Sequence, residues 1–137
     1  AAMSDRNDEV RRVQAVVDDL HIKARDLEQA TGTLSGGNQQ KVVLGKVLLT
    51  KPKVLLLDEP TRGIDVGAKL EVYELINRLT AAGQAIVLVS SELGELMGMA
   101  DRIVMLCEGR IGGVFDRARA TQEALLAAAM GRLGRAA

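Results

Sequence analysis

The sequence is poor in aromatic residues: Tyr73 and Phe115 are the only two, and there is no tryptophan. Aromatic rings are what single-stranded nucleic acids stack on, so the composition argues against a base-stacking surface. The 18 basic and 18 acidic residues cancel, and a net charge of +0 gives no bulk attraction to a phosphate backbone. Nucleic acid is therefore not expected as a partner, and the core must be aliphatic.

Cysteine, histidine and long apolar runs are also scarce. Cys107 has no second cysteine with which to form an internal disulfide, which fits a reducing compartment. We interpret His21, the single histidine, as an ordinary surface or helix-end residue. No apolar run approaches the ~20 residues of a membrane-spanning helix, so any membrane role requires a partner.

One stretch of the sequence is suited to contact a phosphate. Residues 34–40 read Leu-Ser-Gly-Gly-Asn-Gln-Gln, and a helix is predicted from about Gly37 to Thr50 with Ser35 as its N-cap. The first N–H groups of a helix have no partner within it, and the helix dipole is positive there. Glycine lets the backbone approach an oxyanion closely, and a serine hydroxyl adds a donor. Ser35, Gly36 and Gly37 are therefore candidate phosphate-binding residues.

Two acids follow an aliphatic run that predicts a strand. Val54–Leu57 shows no alternation, so we expect both faces of the strand to be covered, as in a parallel sheet. A predicted helix and a second aliphatic run, Ala85–Val89, complete a right-handed βαβ unit with parallel strands. Asp58 and Glu59 would then lie at the sheet edge where open α/β folds bind ligands. Because adjacent carboxylates repel each other, we expect a cation beside them.

The rest of the chain predicts a hairpin and a last helix. Glu108-Gly109 is a hairpin turn signal between two short apolar runs, and Thr121 is a good cap for a final helix. We divide the chain into three segments: a helical segment (1–50), the C-terminal part of an α/β core (51–118), and a C-terminal helix with its tail (119–137).

These motifs, in this order and spacing, resemble the ATP-binding cassette (ABC) ATPases. Residues 34–40, hereafter the signature segment, match the ABC signature leucine-serine-glycine-glycine-x-glutamine, with Asn38 at the free position. The resemblance implies an α/β P-loop NTPase domain, a largely parallel sheet flanked by helices. The G-x-x-x-x-G-K-[S/T] phosphate loop does not occur. We therefore expect a partial domain that lacks its N-terminal phosphate-loop portion and is inactive in isolation.

The resemblance also assigns roles to the acids. Asp58 matches the Walker B aspartate, which holds Mg²⁺, usually through water. Glu59 matches the catalytic glutamate that orients and polarises the attacking water. Asp65 falls at the D-loop position, which in this family lies across the dimer interface, and the resemblance makes it a candidate cofactor-binding residue.

Two further roles follow from the resemblance. Ser91 occupies the place of the histidine that usually contacts the terminal phosphate; serine can donate a hydrogen bond but carries no charge near neutral pH. We therefore expect the local site to be weakened. Four residues of the signature segment would complete an ATP site whose phosphate loop belongs to another cassette: Ser35, Gly36, Gly37 and Gln39.

The branch of the family follows from three strings, residues 34–41, 58–69 and 89–93. They are similar to the second cassette of bacterial monosaccharide importers of the ribose, xylose and galactose type. The similarity implies ATP and Mg²⁺ as cofactors. It implies the first cassette, transmembrane permease subunits and, indirectly, a periplasmic sugar-binding protein as partners, and a peripheral location on the cytoplasmic face of the bacterial inner membrane. No residue of this chain identifies the sugar.

Two other interpretations stay open. ABC-type ATPases of DNA repair and chromosome structure use a similar signature and acid pair, but neutral charge, few aromatics and short motif spacing count against them. A non-catalytic regulatory or interaction module on an ABC scaffold is favoured by the missing phosphate loop and by Ser91.

Overall fold

The computed structural model describes residues 2–132. The chain folds into two compact units, Ala1–Val87 and Leu88–Ala137. Short 3-10 turns cover Thr31–Thr33 and Arg117–Arg119. The helices and strands in chain order are α1 (Ala2–Asp19), α2 (Gly36–Leu48), β1 (Val54–Asp58), α3 (Val66–Ala81), β2 (Ala85–Val89), α4 (Leu93–Met99), β3 (Arg102–Cys107), β4 (Arg110–Asp116) and α5 (Gln122–Ala129).

The core of the first unit is aliphatic, as the composition predicts. Helix α2 packs against both α1 and α3. Exposed and half-buried charges on the outer faces of these helices leave one apolar stripe on each to face inward. The buried side chains of this unit include Leu20, Ile22, Leu44, Leu55, Leu57, Val72, Leu75 and Ile76.

Strands β1 and β2 are neighbours in a two-stranded sheet joined through α3. The backbone N–H of Ala85, the first residue of β2, donates to the carbonyl of Lys53, directly before β1, at 3.1 Å. The side-chain amide of Gln84 also donates to the Pro52 carbonyl, at 2.7 Å. Because both strands start at the same place, they run in the same direction, which matches the predicted βαβ unit.

The prediction that β1 would be covered on both faces is wrong. Leu55 and Leu57 are buried, but Val54 and Leu56 are 54% and 74% exposed. Successive side chains of a strand point to opposite faces, and the described residues pack against only one of these faces. Val87 on β2 is likewise half-exposed.

In the second unit, β3 and β4 form the predicted antiparallel hairpin. Glu108 and Gly109, at the turn, have φ values of 49° and 74°, the left-handed conformation that a tight two-residue turn requires. Helix α5 packs on this hairpin and is capped by Thr121, whose hydroxyl accepts from the Ala124 N–H at 3.2 Å. Between residues 2 and 132 the structure has no helix that is both long and apolar enough to cross a bilayer.

Candidate functional site

Ser35 is the N-cap of α2, as predicted, but its side chain does not cap the helix. Its backbone is extended, with φ −62° and ψ 154°, and its hydroxyl accepts no bond from a backbone N–H of the first turn. Instead, Ser35 Oγ accepts from the side-chain amide of Asn38 at 2.8 Å. Ser35 therefore leaves the first N–H groups of α2 without a side-chain cap, at the positive end of the helix dipole.

The two glycines that follow have different surroundings. Gly36 is exposed, and a Cβ added there would meet Ile64 Cγ2 at 3.8 Å and the Gly63 carbonyl at 3.9 Å, which are ordinary contacts. Gly37 is buried, and a Cβ added there would lie 2.6 Å from the Cβ of Ala68. The absence of a side chain at Gly37 therefore allows α2 and α3 to cross closely. No described residue of this unit requires a glycine at position 36.

The crossing brings the signature segment next to Asp65. Asp65 is the N-cap of α3, and its carboxylate accepts from the Ala68 N–H at 3.0 Å. A cleft of about 240 Å³ opens between the two helix starts. It is lined by Lys23, Ser35, Gly37, Asn38, Lys41, Asp65, Gly67, Ala68 and Glu71. Asp58 and Glu59 are not among the lining residues, so the predicted site residues fall into separate groups.

Gln39 is engaged inside the signature segment itself. Its side-chain amide donates to the Leu34 carbonyl at 2.8 Å, in a partly buried position. This bond closes the segment onto the first turn of α2. The hydrogen bond of Gln39 thus stabilises the backbone conformation of residues 34–36, in which Ser35 and Gly36 are exposed.

The acid pair lies at the end of β1. Asp58 is the last residue of the strand and is exposed. Glu59 follows with φ 49°, and its carbonyl accepts from the Arg62 N–H at 3.1 Å. A positive φ costs a non-glycine residue roughly 1–3 kcal/mol, and the fully buried Pro60 and Thr61 after it supply packing that can hold this conformation. An exposed aspartate suits Mg²⁺, which binds through one or two carboxylates and keeps several waters.

Ser91 belongs to the second unit. It lies in the bend between β2 and α4 and is exposed. Beside it, the hydroxyl of Ser90 accepts from the Glu92 N–H at 3.0 Å, which fixes the turn that leads towards α4.

Sequence reasoning missed an ion pair in the wall of the cleft. Lys41 of α2 is 5% exposed, and its ammonium pairs with the carboxylate of Glu71 on α3 and donates to the His21 carbonyl at 3.2 Å. Lys41 is four residues beyond Gly37, and Glu71 is three residues beyond Ala68, so each pair shares a helix face. This spacing is the sequence signal that places Lys41 and Glu71 on the helix faces that meet where α2 and α3 cross.

The ion pair gives a prediction for stability. We expect Glu71→Gln to lower the free energy of unfolding of the chain by about 1–3 kcal/mol, because it leaves a buried ammonium without its counter-charge. Lys41→Met should cost less, because the Glu71 side chain is 47% exposed and water can replace its partner. Denaturant unfolding measures both, with Glu9→Gln on the exposed face of α1 as the control. Equal costs for Glu71→Gln and Glu9→Gln would contradict the prediction.

Comparisons with solved structures define the class of the fold. The chain superposes on the dimeric structure of MJ0796, a bacterial ABC transporter cassette, with a TM-score of 0.70 and 23% identity. It superposes on the dimeric post-hydrolysis state of that cassette, bound to ADP and Pi, with a TM-score of 0.71 and 23% identity. Each alignment covers 81% of this chain and 47% of the other. The fold is thus that of an ABC ATPase cassette, a partial P-loop NTPase domain, as predicted.

Sequence comparisons then give the family. Residues 3–62 match the model of the ABC transporter family. The chain is 60% identical over 129 residues to the xylose import ATP-binding protein XylG of Moorella thermoacetica, an alignment that covers 94% of this chain and 26% of that protein. The chain is therefore part of an ABC transporter ATPase domain, and it spans about a quarter of the length of this curated relative.

Proposed function

We propose that the complete protein is the ATP-hydrolysing subunit of a bacterial sugar importer, and that its signature segment completes an ATP site held by a second cassette. The observation that carries the proposal is the exposed start of α2. There Ser35, Gly36 and uncapped N–H groups stand beside the loop that ends at Asp65. The 60% identity to a xylose import protein supports xylose, or a closely related monosaccharide, as the sugar.

The signature segment would bind the terminal phosphate of an ATP held by the other cassette. The N–H groups of the first turn donate to phosphate oxygens, and the helix dipole favours the negative charge. ATP contacts both cassettes only when they are closed on each other, so it shifts the pair towards the closed state. Loss of the terminal phosphate removes this bridge, and the resulting opening would move the permease.

The acid pair would serve the ATP site of this cassette itself. Asp58 would hold Mg²⁺, which supplies charge neutralisation at the phosphates when bound. Glu59 would accept a hydrogen bond from the attacking water and orient it. Ser91, in the place of the usual histidine, offers one neutral hydrogen bond to the terminal phosphate, so we expect this site to turn over more slowly than the other.

The partners follow from this arrangement. We propose the first cassette of the same protein, or a dimer mate, as the partner of the signature segment; the structural neighbour MJ0796 is itself dimeric. Transmembrane permease subunits would anchor the pair at the cytoplasmic face of the inner membrane, with a periplasmic sugar-binding protein delivering the sugar. A non-catalytic regulatory cassette is the second candidate, favoured by Ser91 in the histidine position.

Transport in a reconstituted system tests the function. The complete protein, assembled with its permease in vesicles and supplied with the sugar-binding protein, is expected to drive uptake of radiolabelled xylose only when both ATP and Mg²⁺ are supplied. Ribose and galactose serve as matched sugars, and a non-hydrolysable ATP analogue serves as the energy control. ATP hydrolysis without uptake of any of the three sugars would contradict the importer assignment. Unchanged uptake with the analogue would contradict an ATPase role.

A further inference from the structure

Asn38, the residue at the free position of the signature, bridges two parts of the first unit. Its side-chain Oδ1 accepts from the backbone N–H of Lys23 at 2.8 Å, and its Nδ2 donates to Ser35 Oγ at 2.8 Å. The residue is half-buried in the wall of the cleft between α2 and α3. Both ends of one amide are therefore occupied.

The bridge leaves only one orientation for this amide. A backbone N–H can donate but cannot accept, so the atom that faces Lys23 must be the amide oxygen. The amide nitrogen, which only donates, must then face Ser35. Since the Lys23 N–H fixes the flip, the direction of the second hydrogen bond is fixed as well.

The consequence concerns the proton on the Ser35 hydroxyl. A serine hydroxyl has one proton to donate and lone pairs that accept. Here a lone pair is engaged by Asn38, and a proton directed at the same amide group would face another donor. The hydroxyl proton is thus turned away from Asn38, and Ser35 itself is exposed at the start of α2.

We infer that Asn38 is a positioning residue that presents the Ser35 O–H as a donor to the terminal phosphate. The inference rests on the proposed function, because it needs the phosphate to meet the signature segment. Aspartate in place of Asn38 would reverse the direction of the hydrogen bond between residue 38 and the Ser35 hydroxyl. A carboxylate still accepts from the Lys23 N–H, but towards Ser35 it can also only accept, so the Ser35 proton turns inward and is withdrawn from the phosphate.

A double-mutant cycle in the complete protein tests the inference. The variants are Asn38→Ala, Asn38→Asp, Ser35→Ala and the two double variants, and the readout is kcat/KM for ATP hydrolysis. We expect Ser35→Ala and Asn38→Asp each to lower kcat/KM roughly tenfold to a hundredfold, the usual worth of a hydrogen bond to a charged group. In the Ser35→Ala background, Asn38→Ala should change kcat/KM less than about twofold, because the hydroxyl that it orients is gone.

The cycle separates the possible failures. If Asn38→Ala lowers kcat/KM by the same factor with and without the Ser35 hydroxyl, Asn38 acts only as a structural anchor, and the inference is overturned while the role of the signature segment stands. If Ser35→Ala alone leaves kcat/KM unchanged, the Ser35 hydroxyl does not donate to the phosphate and the inference is overturned, whereas the role of the first N–H groups of α2 stands and is tested separately by Gly36→Asp. Asn38→Asp keeps the Lys23 contact, so its unfolding temperature without nucleotide should match that of the unaltered protein. In the Ser35→Ala background, the ratio of kcat/KM between the Asn38→Asp and Asn38→Ala variants measures the effect of the added negative charge.

Discussion

Replacing Gly36 by aspartate in the complete protein is expected to abolish ATP-driven sugar uptake and to lower ATP turnover at least about a hundredfold. The exposed start of α2 is where we place the terminal phosphate of the other cassette's ATP. A carboxylate at that point would bring two like charges together in the closed pair, which costs several kcal/mol. The measurements are steady-state ATP hydrolysis and sugar uptake in reconstituted vesicles.

The same change should leave the fold intact, for two reasons. A Cβ at Gly36 has its nearest atoms at 3.8 and 3.9 Å and fits without repacking, and the position is exposed. An acidic residue in the first turn of a helix interacts favourably with the helix dipole, by roughly 0.3–1 kcal/mol. We therefore expect Gly36→Asp to unfold at the same temperature as the unaltered protein, or slightly above it.

Gly32 provides the matched control. It lies in the exposed turn Thr31–Thr33, just before the signature segment, and an added Cβ has no atom within 4 Å. Gly32→Asp introduces the same charge and the same loss of a glycine, and it should retain most of the uptake. If Gly36→Asp and Gly32→Asp both retained uptake, the signature segment would not contact a phosphate in the transport cycle.

The elements that were predicted accurately are those specified by neighbouring residues. Strand β2 runs from Ala85 to Val89, as the aliphatic run predicts, and the hairpin turns at Glu108-Gly109, where Gly109 readily takes the positive φ that the turn requires. Thr121 caps α5 through its own hydroxyl. Helix α2 begins in the signature segment because serine is a residue type that favours the N-cap position, and Ser35 takes that position.

The features that were missed depend on residues far apart in the sequence. Lys41 and Glu71 each look like a solvated charge on an amphipathic helix, and only the crossing of α2 and α3 buries one of them. Glu59 has a positive φ although its residue type gives no such signal, and the two residues that follow it, Pro60 and Thr61, are fully buried. The exposure of Val54 and Leu56 on β1 could not be predicted either. Their apolar side chains indicate that this face of the strand favours burial, but they do not indicate which part of the protein packs on it.

Gly37 shows how a motif residue can have a structural role beside the functional role that we propose for its neighbour. The signature resemblance assigns Gly36 and Gly37 the same role, close approach to a phosphate. In the structure Gly37 is buried, and its missing side chain is what lets α2 approach Ala68 of α3. Because the Asp65 carboxylate caps the N–H of Ala68, this contact also fixes the start of α3 relative to the signature segment.

We therefore expect Gly37→Ala to destabilise the chain by about 1–3 kcal/mol, the usual cost of overpacking, since its Cβ would lie 2.6 Å from that of Ala68. Gly36→Ala is the control. It adds the same methyl group one residue earlier, where the nearest atoms lie at 3.8 and 3.9 Å, and should be neutral or stabilising by up to about 1 kcal/mol, the helix-propensity difference. Denaturant unfolding of both variants measures the difference. Gly37→Ala combined with Ala68→Gly removes the facing methyl group and should recover part of the loss; equal stability of the two single variants would show that the helices do not cross at Gly37.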